Sequence, residues 1–310
     1  MPTSDLVVHA LGKLMPGGVR RGQLRRGDRA VRWVEAGSGS PTVVLDAAGG
    51  EPGSLAWAGV MPIVAARTRV VAYDRAGTGA SDPVWPLALD TQVDDLTAVI
   101  RATGNGSSVV VGHSWGGLLA QLAALKHPEL IAGLVLVDPA DENFLAVPRE
   151  GLRHGIALGE AVLEQHANGE LANTVRETFR PFAQHLTDDR QVQALILDAY
   201  VSCYEAQSQA RMVLGEHQLI IESLPLIRQA RAGRTLPDVP LVVFSATTDT
   251  PRREREAWTT FHADLAASVP NGEHIVLADT SHATNQDRPA EVAEAINRVI
   301  EGPRLGFVLH

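Results

Sequence analysis

The sequence predicts an α/β fold in which a mostly parallel sheet is covered by helices on both faces and carries an inserted helical block. Two observations predict it. Short runs of β-branched and apolar residues alternate with helical patterns along most of the chain, which is typical of parallel strands buried on both faces. This alternation stops between residues 141 and 236, where the pattern is helical throughout, and then resumes.

Length and composition narrow the classes of function. The 310 residues have room for one large domain with an insertion, and the apolar share of 45% is enough for a sizeable core. The 27 basic and 36 acidic side chains give a net charge of −9, which argues against nucleic acid or an anionic membrane as main partner. No apolar run is long enough to cross a bilayer, and the run at 6–12 makes a poor signal peptide. We therefore expect a cytoplasmic protein that acts on a small molecule, with its oligomeric state open.

Motifs that would indicate a bound cofactor, a metal ion or a disulfide do not occur in the sequence. The glycine-rich segment 75–82 has Asp82 where a dinucleotide fingerprint needs glycine, and Pro83 interrupts the helix that should follow. The 11 histidines show no metal-ligand spacing. The single cysteine, Cys203, lies in a helical pattern and is expected to pack as a small apolar residue. We expect no cofactor and no metal.

The periodicity divides the chain into four parts. They are an N-terminal extension at 1–21 with a loosely held helix, an α/β core at 22–140 and 237–302, a helical cap or lid at 141–236, and a peripheral tail at 303–310. Strands are predicted at 23–26, 29–35, 41–46, 70–74, 109–111, 133–139, 240–245 and 274–278. Helices are predicted at 54–66, 91–102, 118–125, 156–166, 171–186, 188–214, 219–232, 254–268 and 289–300.

The stretch from 109 to 125 organises the predicted site. A buried β-branched strand at 109–111 leads into Gly112-His113-Ser114-Trp115-Gly116, and a run of helix formers follows at 118–125. Such a sharp strand-to-helix turn strains its central residue and is tolerated when small residues flank it. The turn would hold the Ser114 hydroxyl clear of the backbone at a helix N-terminus, which favours developing negative charge. A serine in a tight turn without chemistry is the alternative.

A serine hydroxyl needs a base within reach, and that base needs an orienting group. Asp249 follows the strand at 240–245, and His282 follows the last strand. Because the carboxyl ends of parallel strands share one edge of a sheet, these side chains are expected to meet there. We predict that Ser114 is the nucleophile, that His282 is the general base and acid, and that Asp249 orients the imidazole.

Two other residues compete for these roles. Asp138 also ends a parallel strand and could orient a histidine, but Pro139 follows it at once and favours a role in the turn. Asp249 is therefore the preferred acid. His274 competes with His282, but it begins its strand at the opposite end of the sheet and is expected to face solvent.

The oxyanion of a tetrahedral intermediate needs two backbone donors. The first candidate is the N–H of Trp115, directly after the nucleophile. The second is the N–H of Gly50, in the loop after the strand at 41–46, where Gly49 and Gly50 let the backbone approach closely. His113, beside the nucleophile, is interpreted as a packed and hydrogen-bonded residue rather than a second base.

Together these residues resemble the α/β-hydrolase superfamily. The resemblance rests on the segments 112–117 and 74–82 and on the late Asp249 and His282. It implies an eight-stranded, mostly parallel sheet, a helical cap after the sixth strand, and a Ser-His-Asp triad that works without a cofactor. Many members carry His-Gly in the oxyanion loop, where this chain has Ala48-Gly49.

The function expected from these residues is that of a serine hydrolase. It would cleave an ester, a thioester, a lactone or a small amide through an acyl-enzyme intermediate. The same catalytic parts would also serve a cofactor-free enzyme that hydrolyses carbon–carbon bonds or carries out perhydrolysis. A ligand receptor that keeps the pocket and turns over slowly is a further alternative.

Overall fold

A computed structural model describes residues 1–142 and 150–302 of the chain. Its strands are β1 (Arg20–Arg26), β2 (Arg29–Ala36), β3 (Val43–Asp46), β4 (Val70–Asp74), β5 (Ser108–His113), β6 (Ile131–Val137), β7 (Leu241–Ser245) and β8 (Gly272–Val276). They form one eight-stranded sheet in the order β1-β2-β4-β3-β5-β6-β7-β8. β2 is antiparallel to both of its neighbours, and the other pairs are parallel. The predicted α/β-hydrolase fold is confirmed.

The helices cover this sheet and form the insertion. They are α1 (Thr3–Leu14), α2 (Gly53–Ala56), α3 (Met61–Ala65), α4 (Leu89–Thr103), α5 (Trp115–Lys126), α6 (Glu150–Asn168), α7 (Leu171–Leu186), α8 (Arg190–Tyr204), α9 (Gln207–Arg231), α10 (Arg252–Ala267), α11 (Thr284–Asp287) and α12 (Pro289–Glu301), with a 3₁₀ turn at Pro128–Leu130. α6 to α9 lie between β6 and β7 in the chain. Residues 143–149 of the predicted cap and the predicted tail at 303–310 lie outside the described residues.

The boundary between the last two cap helices differs from the prediction. The pattern predicted a break at 215–218, but α8 ends at Tyr204 and α9 runs on without a break to Arg231. Gly215 lies inside α9, where a Cβ would come within 2.8 Å of the Leu87 side chain. The glycine therefore allows close packing against the core instead of ending a helix.

Both faces of the central strands are buried, as the strand pattern predicted. Along β5, Val109 and Val111 pack into the apolar layer on one face, and Val110 packs into the layer on the other face. Ile296 of α12 belongs to the first layer, and Leu118 of α5 belongs to the second. β5 lies between β3 and β6 in the middle of the sheet, so the turn that follows it emerges from a rigid strand.

The N-terminal helix is packed more firmly than the sequence suggested. Val7, Ala10 and Leu11 of α1 are buried in the same apolar layer as the cap residues, and α1 packs against α8. Thr3 Oγ1 lies 2.8 Å from Ser202 Oγ of α8. α1 therefore connects the cap to the core.

The single cysteine is a packing residue, as expected. Cys203 of α8 is completely buried in the apolar layer that includes Tyr200 and Ala199. Burial raises the pKa of its thiol well above the ordinary value. Within the described ranges, no helix is both long and apolar enough to cross a membrane.

Replacing Leu11 by alanine tests whether α1 is part of the core. Leu11 is completely buried, so we expect Leu11→Ala to lower the free energy of unfolding by about 2–5 kcal/mol. His9→Ala, at an exposed position of the same helix, is the control and should change it by less than about 0.5 kcal/mol. Urea unfolding followed by circular dichroism measures both, and equal stability of the two variants would contradict the packing of α1.

Candidate active site

The nucleophile turn connects β5 to α5, and Ser114 lies at its tip. Ser114 has φ 51° and ψ −115°, a strained conformation for a residue with a side chain. Its N–H donates to the Val137 carbonyl at 3.0 Å, and its carbonyl accepts from the Ala140 N–H at 2.9 Å. A Cβ at Gly116 would lie 2.5 Å from the Ala47 carbonyl oxygen, so only glycine fits there. Contacts with the neighbouring segments therefore fix the position of the serine.

The imidazole of His282 reaches the serine hydroxyl. His282 Nε2 lies 2.9 Å from Ser114 Oγ, within hydrogen-bond distance. His282 lies in the loop between β8 and α11, and its ring centroid is 5.1 Å from that of Trp258. The competing residue, His274, instead places its Nε2 2.8 Å from Ser245 Oγ. The structure brings together two of the three side chains predicted to form the triad.

The third predicted side chain requires a correction. Asp138, not Asp249, contacts the imidazole ring: Asp138 Oδ2 lies 2.6 Å from His282 Nδ1. Asp138 directly follows β6, has φ 42° and is completely buried. The sequence favoured Asp249 over Asp138 as the acid, because Pro139 indicated that Asp138 has a role in the turn. It does lie in a turn, and that same turn carries its carboxylate to the histidine ring.

Asp249 supports the histidine loop through the backbone. Its Oδ2 accepts a hydrogen bond from the His282 backbone N–H at 2.6 Å, and its Oδ1 accepts one from Arg255 at 3.1 Å. The Asp249 side chain is 38% exposed, whereas that of Asp138 is fully buried. Both carboxylates were visible at strand ends in the sequence. Which one meets the ring depends on the loop conformations, and these have no sequence signature.

The surroundings of Asp138 hold it as a carboxylate. Arg255 Nη1 donates to both of its oxygens at 2.9 Å, and the Ala246 N–H donates to Oδ1 at 3.0 Å. Burial would raise the pKa of Asp138, but the hydrogen bond from His282 and the charges of His282, His262 and Arg255 outweigh it and hold the pKa below its ordinary value. An ionised carboxylate at Nδ1 keeps the imidazole hydrogen on that atom and leaves the Nε2 lone pair for the hydroxyl.

The loop after β3 requires a second correction. The Gly50 N–H, predicted as an oxyanion donor, donates to Glu216 Oε2 of α9 at 2.6 Å. Because an N–H has only one hydrogen, the Gly50 N–H that donates to Glu216 is not available to an oxyanion. The N–H of Glu51, the next residue, makes only a long contact of 3.3 Å to the Ala48 carbonyl. Trp115, the other predicted donor, is the first residue of α5, where an N–H has no intrahelical partner.

A buried cluster of charges connects this loop to the cap. Arg75 lies at its centre and is only 2% exposed. Its guanidinium donates to Glu216 at 2.7 and 2.9 Å and to Asp46 at 2.5 Å. It also donates to the carbonyls of Ala47 and Ala48. Sequence reasoning missed Glu216, because a helical pattern does not show which of its carboxylates turns into the core.

The chain is similar to proteins of one known family over most of its length. The model of the Alpha/beta hydrolase family matches residues 36–295. The chain belongs to this family. Lipase LipV of Mycobacterium tuberculosis is 42% identical over 71 residues, which are 23% of this chain and 27% of that protein. The 2-hydroxymuconate semialdehyde hydrolase of Pseudomonas sp. strain CF600 is 35% identical over 115 residues, 36% of this chain and 40% of that protein. The aligned segments span less than half of either relative.

A solved structure with a similar fold is wild-type Cfl2 from Burkholderia cenocepacia. The two chains superpose with a TM-score of 0.71 over 91% of this chain and 96% of Cfl2, at 20% sequence identity. The similarity therefore concerns the fold. Family membership and the names of the relatives support hydrolase activity for this alpha/beta hydrolase.

Two further histidines of this alpha/beta hydrolase are buried beside His282 and Asp138. His113 Nε2 lies 2.7 Å from the His282 carbonyl. His262 Nε2 lies 2.8 Å from the Pro139 carbonyl, and its Nδ1 lies 2.8 Å from Ser245 Oγ. Burial lowers the pKa of His113 to about 3 and that of His262 to about 4. Both rings are therefore neutral at pH 7, which agrees with the interpretation of His113 as a packed residue.

The lowered pKa of His262 predicts a pH dependence of stability. Between the ordinary value of 6.5 and about 4, the unfolded chain binds a proton at this residue that the folded chain does not bind. The free energy of unfolding should therefore fall as the pH falls through this window, by roughly 3 kcal/mol for this residue.

Urea unfolding at several pH values measures this effect. His262→Gln should be less stable than the wild type at pH 7 but should lose less stability between pH 7 and pH 4. His9→Gln, at an exposed position, should keep the wild-type slope. An unchanged slope in His262→Gln would show that this residue is not the origin of the pH dependence.

Proposed function

We propose that this protein is a serine hydrolase that cleaves an ester, a thioester, a lactone or a small amide through an acyl-enzyme intermediate. The observation that supports it is a continuous hydrogen-bonded chain across three strand ends. Ser114 Oγ lies 2.9 Å from His282 Nε2, and His282 Nδ1 lies 2.6 Å from Asp138 Oδ2. This is the arrangement by which an imidazole takes the proton of an attacking hydroxyl.

Each of the three side chains has a proposed role. Ser114 attacks the acyl carbon while His282 takes its proton, and His282 then returns the proton to the leaving group. Asp138 keeps the hydrogen on His282 Nδ1 and stabilises the imidazolium that forms. Water then attacks the acyl group, with His282 acting again as the base, and Ser114 is released.

The oxyanion is assigned to two backbone N–H groups. The N–H of Trp115 lies next to the nucleophile at the start of α5. For the second donor we propose Glu51 in place of Gly50, because the Gly50 N–H is bonded to Glu216 and the Glu51 N–H has only its 3.3 Å contact with Ala48. A donor with a long existing contact can turn to a stronger acceptor at low cost.

The proposed substrate is a small acyl compound. Ser114 is partly exposed at the end of β5, and the inserted helices carry aromatic side chains such as Phe179 and Tyr200, whose rings stack at 3.9 Å. The similarity to a lipase over part of the chain also supports acyl transfer. Nothing in the described contacts favours carbon–carbon bond hydrolysis, perhydrolysis or slow-turnover binding over this reaction. The cytoplasmic location stays a prediction.

Replacing the nucleophile tests the proposal directly. Ser114→Ala should lower kcat for 4-nitrophenyl acetate by at least about 10,000-fold and should abolish labelling by a fluorophosphonate, because no other group supplies the attacking oxygen. Ser107→Ala, at an exposed turn, is the control and should retain both properties. Mass mapping of the labelled peptide should identify Ser114. Label on any other residue of a folded, active protein would place the site elsewhere.

The two carboxylates predict different losses. Asp138→Asn should lower kcat by about 10,000-fold, because an amide at Nδ1 favours the wrong imidazole tautomer. Asp249→Asn should cost about tenfold or less, because Asp249 contacts the His282 backbone rather than its ring. Ester hydrolysis at saturating substrate, with circular dichroism to confirm folding, compares the variants. The opposite ranking would return the acid to Asp249.

A further inference from the structure

Two buried acceptor atoms face each other beside the triad. Glu51 Oε2 lies 3.9 Å from His113 Nδ1, which is beyond hydrogen-bond distance. Neither atom has a hydrogen-bond partner among the described residues. The His113 side chain is 2% exposed and that of Glu51 is 20% exposed, and the two acceptor atoms themselves are buried.

The protonation of His113 makes its Nδ1 an acceptor. His113 Nε2 lies 2.7 Å from the His282 carbonyl oxygen, which can only accept, so the ring hydrogen lies on Nε2. Burial lowers the pKa of His113 to about 3, so Nδ1 carries a lone pair at neutral pH. A buried acceptor without a donor is energetically unfavourable, because it has lost its hydrogen bond to water. The pair therefore lacks a donor that could contact both of its atoms.

The position of the pair places it beside the reacting carbonyl. Glu51 carries the backbone N–H proposed for the oxyanion, and His113 directly precedes the nucleophile. The ring centroids of His113 and His282 are 4.9 Å apart. From the cap, Tyr200 is near enough for the charge of Glu51 to add to the burial that raises its pKa, and its buried hydroxyl has no partner among the described residues.

We propose that Glu51 and His113 form a specificity subsite that accepts hydrogen bonds from a hydroxyl or amino group of the acyl substrate, close to its scissile carbonyl. One donor atom can lie about 2.8 Å from both acceptors at once, because they are 3.9 Å apart. An amino group can donate to both atoms, and a hydroxyl can donate to one of them. The subsite rests on the proposed hydrolase function and narrows its substrates.

A matched pair of esters tests the subsite. Ethyl 3-hydroxybutanoate carries a hydroxyl where ethyl 3-methylbutanoate carries a methyl group of similar size. The wild type should prefer the hydroxy ester by about tenfold in kcat/KM, the effect of one hydrogen bond to a buried acceptor. Glu51→Leu should reduce this ratio to about one, and Glu51→Gln, which keeps an acceptor oxygen, should retain part of it. Ratios within each variant cancel any general loss of rate.

A binding measurement distinguishes failure of the subsite proposal from failure of the hydrolase proposal. The Ser114→Ala variant, titrated with each ester by NMR, should bind the hydroxy ester more tightly. If the wild type hydrolyses neither ester but this binding preference holds, the hydrolase proposal fails and the subsite stands. Equal binding of both esters, or a preference in Glu51→Leu equal to that of the wild type, would overturn the subsite.

Discussion

The buried guanidinium of Arg75 is the interaction on which the arrangement of the site depends. A cation that is 2% exposed must be paired, and Arg75 pairs with Asp46 at the end of β3 and with Glu216 of the cap. Gln92 extends the cluster, since it donates to Glu216 at 2.5 Å and accepts from the Trp115 indole N–H at 2.7 Å. Arg75 and its hydrogen-bonded partners therefore connect the sheet, the cap and the start of α5.

This connection couples the cap to the loop after β3. Glu216 accepts both from Arg75 and from the Gly50 N–H, so the position of α9 and the conformation of the loop after β3 are fixed together. If α9 moved away alone, Arg75 would lose one of its two carboxylate partners in a buried environment, which is strongly unfavourable. The part of α9 around Glu216 is therefore held to the core.

The fold and two of the three residues of the proposed triad could be predicted because they depend on local patterns. Buried strands have an apolar signature, and the positions of Ser114 and His282 follow from the sharp turn after β5 and the end of β8. The choice between Asp138 and Asp249 could not be made in this way. Both end strands at the same edge, and the contacts that hold Asp138 in place, such as the one from Arg255 of α10, come from 117 residues further along the chain.

The conformation of the loop after β3 could likewise be predicted only in part from the sequence. The glycines at 49 and 50 correctly indicated a close backbone approach, since a Cβ at Gly50 would lie 2.7 Å from the Val213 Cα of α9. The close neighbour is the cap, however, and not a substrate. Packing between distant segments determines which residues of the inserted helices form hydrogen bonds to this loop. The periodicity of the sequence does not predict these partners.

The burial of Cys203 has a practical consequence. Reaction with a thiol reagent needs an ionised and accessible sulfur, and the packing of α8 against α1 and α7 denies both. Modification must therefore wait until α8 separates from its neighbours. Because Cys203 is the only cysteine in the chain, the rate of a simple colorimetric thiol assay would report how often this part of the molecule opens, without any introduced label.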